Sequence, residues 1–346
     1  MGGGERSFLR ITDSLSEEGV CVEVALRQSS DIIDYVSPTR ICHQLSMRTV
    51  WDPISKYEIR KLIKRRKPSI VQTYMSRATR LTHVPAESEV THIARLCGNY
   101  KSKSFKHVDI CVVCTNWIAD YLLAGGIDRG KIVQIPNFLD PPKLFSDTAL
   151  LDFRNSNKIP RDALVIGWIG RFVPVKNVNL ILEAFSNLSR SIKGQPVYLV
   201  IAGDGPDYAN ALQLAQKSGN ISRIKFLGWV KNPNIVYQAS DLIAFTSNEM
   251  EGFGNAILET WGSRRPLITT RSRGAVEVTT HEIDSWQVPC RDADSLRDGI
   301  LLLLSDERLR RELAEIGSTR LARTFSREKV MEQYKSLYER VTHKFG

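Results

Sequence analysis

The feature that most constrains this chain is an alternation. Apolar runs of strand length recur along it, separated by stretches with helical spacing. Strands joined through helices run parallel, because a crossover, unlike a tight hairpin, returns the chain to the same end of the sheet. In the first half, "VCVEVAL" (20–26), "SIVQTY" (69–74), "THIARL" (91–96), "ICVVCT" (110–115) and "KIVQIPN" (131–137) predict strands, with helices near 5–17, 54–66 and 116–125. "PNFLDPP" at 136–142 breaks the pattern, and the polar stretch 143–162 predicts a linker. A second series runs through "ALVIGWIGR" (163–171), "VYLVIAG" (197–203), "IKFLG" (224–228), "LIAFTS" (242–247) and "PLITT" (266–270), with helices near 177–190, 207–218 and 254–263. The stretch 293–343 reads as helices alone, and Ser326 stands where the last of them would be capped. At 346 residues the chain exceeds one typical core. The expectation is two doubly wound α/β domains, 1–160 and 161–325, facing a cleft that is a natural ligand site.

Composition narrows the class. No apolar run approaches the ~20 residues of a spanning helix, and the start lacks the pattern of a secretory signal. The six Cys (21, 42, 97, 111, 114, 290) show no disulfide framework. These features predict a cytoplasmic protein. The net charge is +10, with one dense basic run, "KYEIRKLIKRRKP" at 56–68. That run reads as the solvated face of a helix with Ile59, Leu62 and Ile63 inward, and it leaves open a peripheral contact with an anionic inner-membrane surface through 56–67. Nucleic acid is not expected, since no stacking aromatics or known module accompany the charge.

Two stretches carry candidate chemistry. In "EGFGNAILE" (251–259), Gly252 and Gly254 free the backbone and a helix begins near Asn255. The amides of Phe253, Gly254 and Asn255 would then lie at a positive helix N-terminus, suited to an oxygen-rich ligand. Glu251 precedes that helix, and Glu259 lies about one turn into it, where a carboxylate can chelate a vicinal diol. In "GWIGRFVPVKN" (167–177), Gly170, Arg171 and Lys176 follow a buried strand, at the edge where α/β folds bind ligands. A fork donor and a point charge five residues apart suit a diphosphate. Taken singly, the first stretch is ordinary helix capping and the second two surface cations beside a tight turn.

With "LVIAGDGP" (199–206) and "IKFLGWV" (224–230) between them, these elements resemble, in order and spacing, the family 4 retaining glycosyltransferases with the GT-B fold. The resemblance spans essentially the whole chain. "KPSIVQTYMSRATR" (67–80) and "VTHIARLCGNYKSKSFKHVDICVVCTN" (90–116) are similar to the branch acting on lipopolysaccharide core and other surface glycans. The resemblance implies a nucleotide-sugar donor, a glycan or lipid-linked acceptor, and no cofactor or metal. Arg171 and Lys176 would neutralise the diphosphate and the leaving group. Glu259 would bind the ribose, Glu251 with the amides of 253–255 the donor sugar, and the backbone at Trp229 and Val230 the base. Gly3 and Gly4 would approach the diphosphate from the other domain, and the final helix, 326–346, would return to the N-terminal domain. Retention without a nucleophilic carboxylate implies front-face displacement.

The chain departs from the family pattern in places. Where relatives carry a His after the fourth strand, this chain has "ARLCGNY", which makes Arg95, Asn99 and Tyr100 the acceptor-side candidates. "HEIDSWQVP" (281–289) replaces a Gly-rich turn, and Trp286 is assigned only local packing. "DAD" at 292–294 reads as a helix start with Asp294 as N-cap, not as a metal motif. Cys111 and Cys114, three apart in a strand, point to opposite faces. "AGDGP" (202–206) reads as a structural turn, and the six His show no ligand spacing. The opening "GGGER" matches the turn after a first strand that the sequence does not show, which predicts a gap in the N-terminal sheet and a natural chain that begins upstream. The rival to an enzyme is a non-catalytic sugar-nucleotide-binding or scaffold protein of an envelope-glycan complex.

Overall fold

In the computed structural model, which describes residues 2–85 and 88–342, every ladder among the described residues is parallel except one short antiparallel pair. The chain divides into two units, Met1–Phe138 with Arg327–Gly346, and Leu139–Ser326. The break falls ahead of the boundary expected near 160.

The first unit contains β1 (Val24–Arg27), β2 (Cys42–Leu45), β3 (Ile70–Tyr74), β4 (Thr91–Leu96), β5 (Ile110–Val113) and β6 (Ile132–Gln134). They form two sheets, β1–β2 and β3–β4–β5–β6, and among the described residues no ladder joins β1 to β3. The helices are α1 (Gly3–Glu17), α2 (Pro53–Arg66), α3 (Met75–Leu81) and α4 (Asn116–Ala124). The sequence reading missed β2 and α3. The C-terminal helix, Arg327–Thr342, packs in this unit: Val330, Met331, Tyr334, Leu337 and Val341 share a core with Ile11 and Leu15 of α1, Ile93 and Val112. The last four residues of the helix expected over 326–346 lie outside the described residues.

The second unit contains β7 (Leu164–Ile169), β8 (Ser191–Ile192), β9 (Gln195–Ala202), β10 (Ile224–Gly228), β11 (Leu242–Phe245), β12 (Leu267–Thr270) and β13 (Trp286–Val288). The main order is β10–β9–β7–β11–β12–β13, with β8 a short hairpin partner of β9. Its helices are α5 (Asp147–Ser156), α6 (Val178–Ser186), α7 (Tyr208–Lys217), α8 (Asn234–Ala239), α9 (Asn255–Gly262), α10 (Arg273–Val278), α11 (Ala293–Ser305) and α12 (Glu307–Thr324). Alternate strand residues serve opposite layers. Leu164, Ile166, Trp168, Leu199 and Ile201 meet α6 and α11 on one face. Val165, Val200 and Ala202 meet Val236 of α8 and Phe153 of α5 on the other. Apolar burial on both faces explains why these strands read as continuous hydrophobic runs.

Helix α5 occupies the stretch expected to be an irregular linker. Ser146 caps it by accepting from the Ala149 amide, and Arg154 ties it to the sheet through Ala163 O, Ala239 O and Asp241. Its polar surface reflects one exposed side rather than absence of structure.

Between the strand ends, three loops meet through backbone alone. Gly203 has φ +136°, and a Cβ there would stand 1.8 Å from the Gly170 carbonyl oxygen. Gly205 has φ +155°, and its Cβ would stand 2.4 Å from the Phe172 oxygen. The Gly203 amide donates to Gly228 O at 2.7 Å, and the Gly170 amide to Ala202 O at 3.0 Å. "AGDGP" is thus a structural interlock. Gly203→Ala should destabilise the protein by about 3 kcal/mol or more, since strain and collision add. Gly194→Ala, at φ +83° with nothing within 4 Å, should cost only about 1–2 kcal/mol. Urea melts of the two variants test the contrast.

Candidate active site

A parallel sheet delivers all its strand C-termini to one edge, and the candidate residues of the second unit collect there. Gly170, Arg171 and Lys176 follow β7, Trp229 and Val230 follow β10, and Glu251 through Asn255 follow β11. Arg171 and Trp229 are exposed, and Val230 is half-buried.

The loops after β7 and β11 are stitched together. Thr246 Oγ1 accepts from Trp168 Nε1 at 2.9 Å and lies 3.2 Å from Lys176 O and 3.1 Å from Asn177 O. The Asn248 amide donates to Val175 O at 2.8 Å. Asn177 adopts a left-handed conformation, φ 46°, and starts α6. Against this frame Lys176 Nζ meets Glu251 Oε2 at 2.5 Å, and Ser247 Oγ donates to the same oxygen at 2.9 Å. Lys176 Nζ also stands 5.2 Å from the centre of the Phe245 ring, a cation–π distance. Neither side chain of the pair is more than a quarter exposed, so water screens it weakly.

Helix α9 begins after Gly254, whose φ of +88° and close approach to Phe245 exclude a side chain. Glu259 is buried within this helix, and Tyr237 Oη donates to its Oε2 at 2.8 Å. The three amides expected to be open are not equivalent. A Cβ on Gly274 would stand 2.6 Å from the Phe253 nitrogen, so that nitrogen lies against α10. The Phe253 side chain is itself buried and meets Phe325 edge-on, with centroids 6.0 Å apart.

The remaining candidates belong to the first unit. Gly3 and Gly4 form the first turn of α1 rather than a turn ahead of it, with the Gly2 amide donating to Glu5 Oε2 at 2.5 Å. Arg95 requires a correction: it is fully buried. Its guanidinium donates to Ile135 O and, at 2.7 Å, to Asn137 Oδ1. It holds β4 to the chain beyond β6, and an acceptor sugar has no access to it. Asn99 is exposed. Tyr100 is half-buried beside Phe105, and burial pushes its hydroxyl up to about 12.

Other expectations change in detail. Asp292, not Asp294, caps α11 by accepting from the Ser295 amide at 2.8 Å, and Asp294 pairs with Arg297. Trp286 packs on Gly299 and on the edge of His281. Asp284 is buried, accepting from the Thr280 amide and from Arg320. Three His that lack sequence spacing do cluster: His83 and His107 stack at 4.4 Å, with His92 at 5.5 Å from His107. Burial, then the neighbouring His107 and His83, pushes His92 down to about 3. Among the described residues, no group of three or more His, Cys, Asp or Glu could hold a metal ion. Sequence reasoning missed Ser247, Tyr237 and Gly274. Ser247 was readable as the polar end of a strand, whereas Tyr237 and Gly274 reach the site only through tertiary packing.

Comparison with known proteins gives consistent matches. The family described as Glycosyl transferases group 1 matches residues 151–320, and Glycosyltransferase Family 4 matches residues 1–143. The lipopolysaccharide core biosynthesis glycosyltransferase LpsE of Rhizobium meliloti is 30% identical over 345 residues, covering 97% of this chain and 95% of the relative. A glycosyltransferase structure from Rickettsia africae superposes with a TM-score of 0.85 at 20% identity, over 98% of this chain and 95% of that one. Anabaena HepE, solved with UDP and glucose, gives 0.86 at 15% identity, over 98% and 96%.

Tyr237→Phe removes the hydroxyl that donates to Oε2 of the buried Glu259 carboxylate and keeps the ring. It should cost about 1–2 kcal/mol of stability, read as a lower urea midpoint with an unchanged slope.

Proposed function

Because the chain belongs to the family 4 glycosyltransferases and has their GT-B fold, we propose that it moves a sugar from a nucleotide-sugar donor to a glycan or lipid-linked acceptor in the synthesis of cell-envelope polysaccharide or lipopolysaccharide. The observation that carries this reading is the Lys176–Glu251 pair, set at the C-terminal edge of a parallel sheet, with Glu251 on the loop that leads into α9, the helix that carries Glu259. The name of LpsE supports the envelope assignment. The UDP and glucose in the HepE structure support a nucleotide-sugar donor.

In this reading Arg171 and Lys176 bind the diphosphate and take up the charge that grows as the sugar–oxygen bond breaks. Glu251, with backbone amides at the start of α9, holds the sugar hydroxyls, and Glu259 chelates the ribose diol. The backbone at Trp229 and Val230 meets the base. Gly3 and Gly4 remain candidates for the diphosphate, and Asn99 and Tyr100 for the acceptor. The acceptor hydroxyl attacks on the face from which the diphosphate departs, and its proton passes to a phosphate oxygen. The anomeric configuration is then retained without a covalent glycosyl-enzyme, unlike retaining glycosidases. Positioning and charge compensation supply the catalysis, with no step assigned to a metal or cofactor.

Nucleotide release from a panel of nucleotide sugars with envelope-glycan acceptors, followed by mass spectrometry and NMR of the product, tests the proposal. A product of inverted anomeric configuration would sink the front-face step. Tight donor binding without turnover on any acceptor would favour a non-catalytic binding protein. Lys176→Ala should lower kcat by about 100-fold or more in a chain that still folds, with a melting temperature lowered by loss of the pair with Glu251. Glu259→Ala should chiefly raise the donor KM, by roughly 10-fold or more, through lost charged hydrogen bonds to the ribose. Unchanged constants in either variant refute that residue's role.

A further inference from the structure

We propose that a cavity at the N-terminal edge of the second unit's main sheet binds a phosphate monoester, a small phosphorylated metabolite held by Arg161 and Arg265. The inference concerns the second unit alone. It is independent of the reading of the donor site, whose residues in this unit collect at the opposite edge of the same sheet.

The cavity measures about 500 Å³, within the range of small-molecule sites. Helix α5 forms one wall, and the end of α8 with the chain that enters β12 forms another. Gln238 and Ala239 are buried at its floor, whereas Asp147, Thr148 and Arg161 are exposed at its mouth. Leu150 and Leu151 of α5 give it an apolar side.

Three arginines line the cavity, and they are not equivalent. Arg154 is committed to the fold. It donates to Ala163 O and Ala239 O and pairs with Asp241, and Ala163 and Asp241 immediately precede β7 and β11. Arg265, just before β12, donates from Nη2 to Gln238 O, but its Nε is buried without a partner. A buried N–H in that state has lost its water and gained nothing, a penalty that an incoming oxygen atom removes. Burial holds the Arg265 guanidinium below the ordinary arginine range; Asp241 opposes this, and the Arg154 charge adds to it. Arg161 uses its carbonyl to accept from Arg154. Among the described residues its side chain has no hydrogen-bond or ion-pair partner.

Charge selects the ligand. Asp241 offsets one of the three positive charges, and Arg161 and Arg265 supply the other two. A phosphate monoester carries about 1.5 to 2 negative charges at pH 7, whereas a carboxylate carries one. The guanidinium fork also matches phosphate oxygens in pairs. Asp147 is the acid at the mouth, and it stands in the first turn of α5, where the helix dipole offsets its charge. The volume leaves room beyond a phosphate group for an organic group against Leu150 and Leu151.

Isothermal titration calorimetry of the full chain, in a chloride buffer of low ionic strength, tests the proposal with glucose 6-phosphate and inorganic phosphate as probes. Glucose 6-phosphate should bind about 10-fold or more tightly than inorganic phosphate, because it alone reaches the apolar side. Arg161→Glu should weaken that binding by about 10-fold or more and keep the urea midpoint, because the side chain is exposed and unpartnered. Arg265→Lys, which keeps the charge and loses the fork, should weaken it roughly five-fold. Asp147→Asn should tighten it by about two-fold or more. Lys176→Ala, at the opposite edge of the sheet, should leave it unchanged. No binding of glucose 6-phosphate up to about 10 mM, or Arg161→Glu binding equal to the parent's, overturns the proposal. Loss of binding in Lys176→Ala would place the anion at the donor edge and overturn it too. Equal affinity for the two probes would make the ligand free phosphate and overturn its assignment to a monoester.

Discussion

The second unit is organised around backbone packed on backbone. Gly203 lies so close to Gly170 that no side chain fits between them, and Gly205 stands in the same relation to Phe172. Hydrogen bonds from Gly203 to Gly228 and from Gly170 to Ala202 close the set. A side-chain contact leaves rotamers to choose among, and a backbone contact does not. Arg171 is therefore carried on a chain fixed on both sides, and Lys176 on one stitched to the loop after β11 through Thr246 and Asn248. A site that works by placing charge needs that stiffness, because a displacement of about 1 Å can cost 100-fold in rate.

The Lys176–Glu251 pair adds an electrostatic consequence. The Lys176 ammonium meets the Glu251 carboxylate, which also accepts from the Ser247 hydroxyl, and stands over an aromatic face. A half-buried lysine without a counter-charge would pay a desolvation cost, so the pair stabilises the loop. On the proposed reading, a diphosphate brings its own negative charge and competes with Glu251 for Lys176. The carboxylate is then released toward a sugar hydroxyl. On that reading, part of the donor's binding energy would be coupled to activation of a second contact, which would link recognition of the phosphate to recognition of the sugar.

Much of this was legible in the sequence because it rests on local chemistry. Strands buried on both faces announce themselves as apolar runs, and "IKFLG" and "THIARL" match β10 and β4 to the residue. Gly254, just before α9, marks a place where the backbone departs from ordinary conformations. What remained hidden depends on contacts distant in sequence. Arg95 reads as a polar residue facing a cleft until its partners at 135 and 137 are placed beside it. Helix α5 reads as linker because its sheet anchor, Asp241, is far along the chain. Tyr237 carries no motif, and its hydroxyl matters only because α8 and α9 pack together.

The basic run illustrates a different limit. Seven cations over 56–67 look the same in sequence whether they keep a helix in water or meet a charged surface. The distinction lies in what the fold does with their neighbours. If Glu58 faced outward it would pair with cations one turn away; instead it is spent on the Ser46 amide. Arg66 is neutralised by Glu23, whereas Lys61, Lys64 and Arg65 stay exposed on the outer side of the helix.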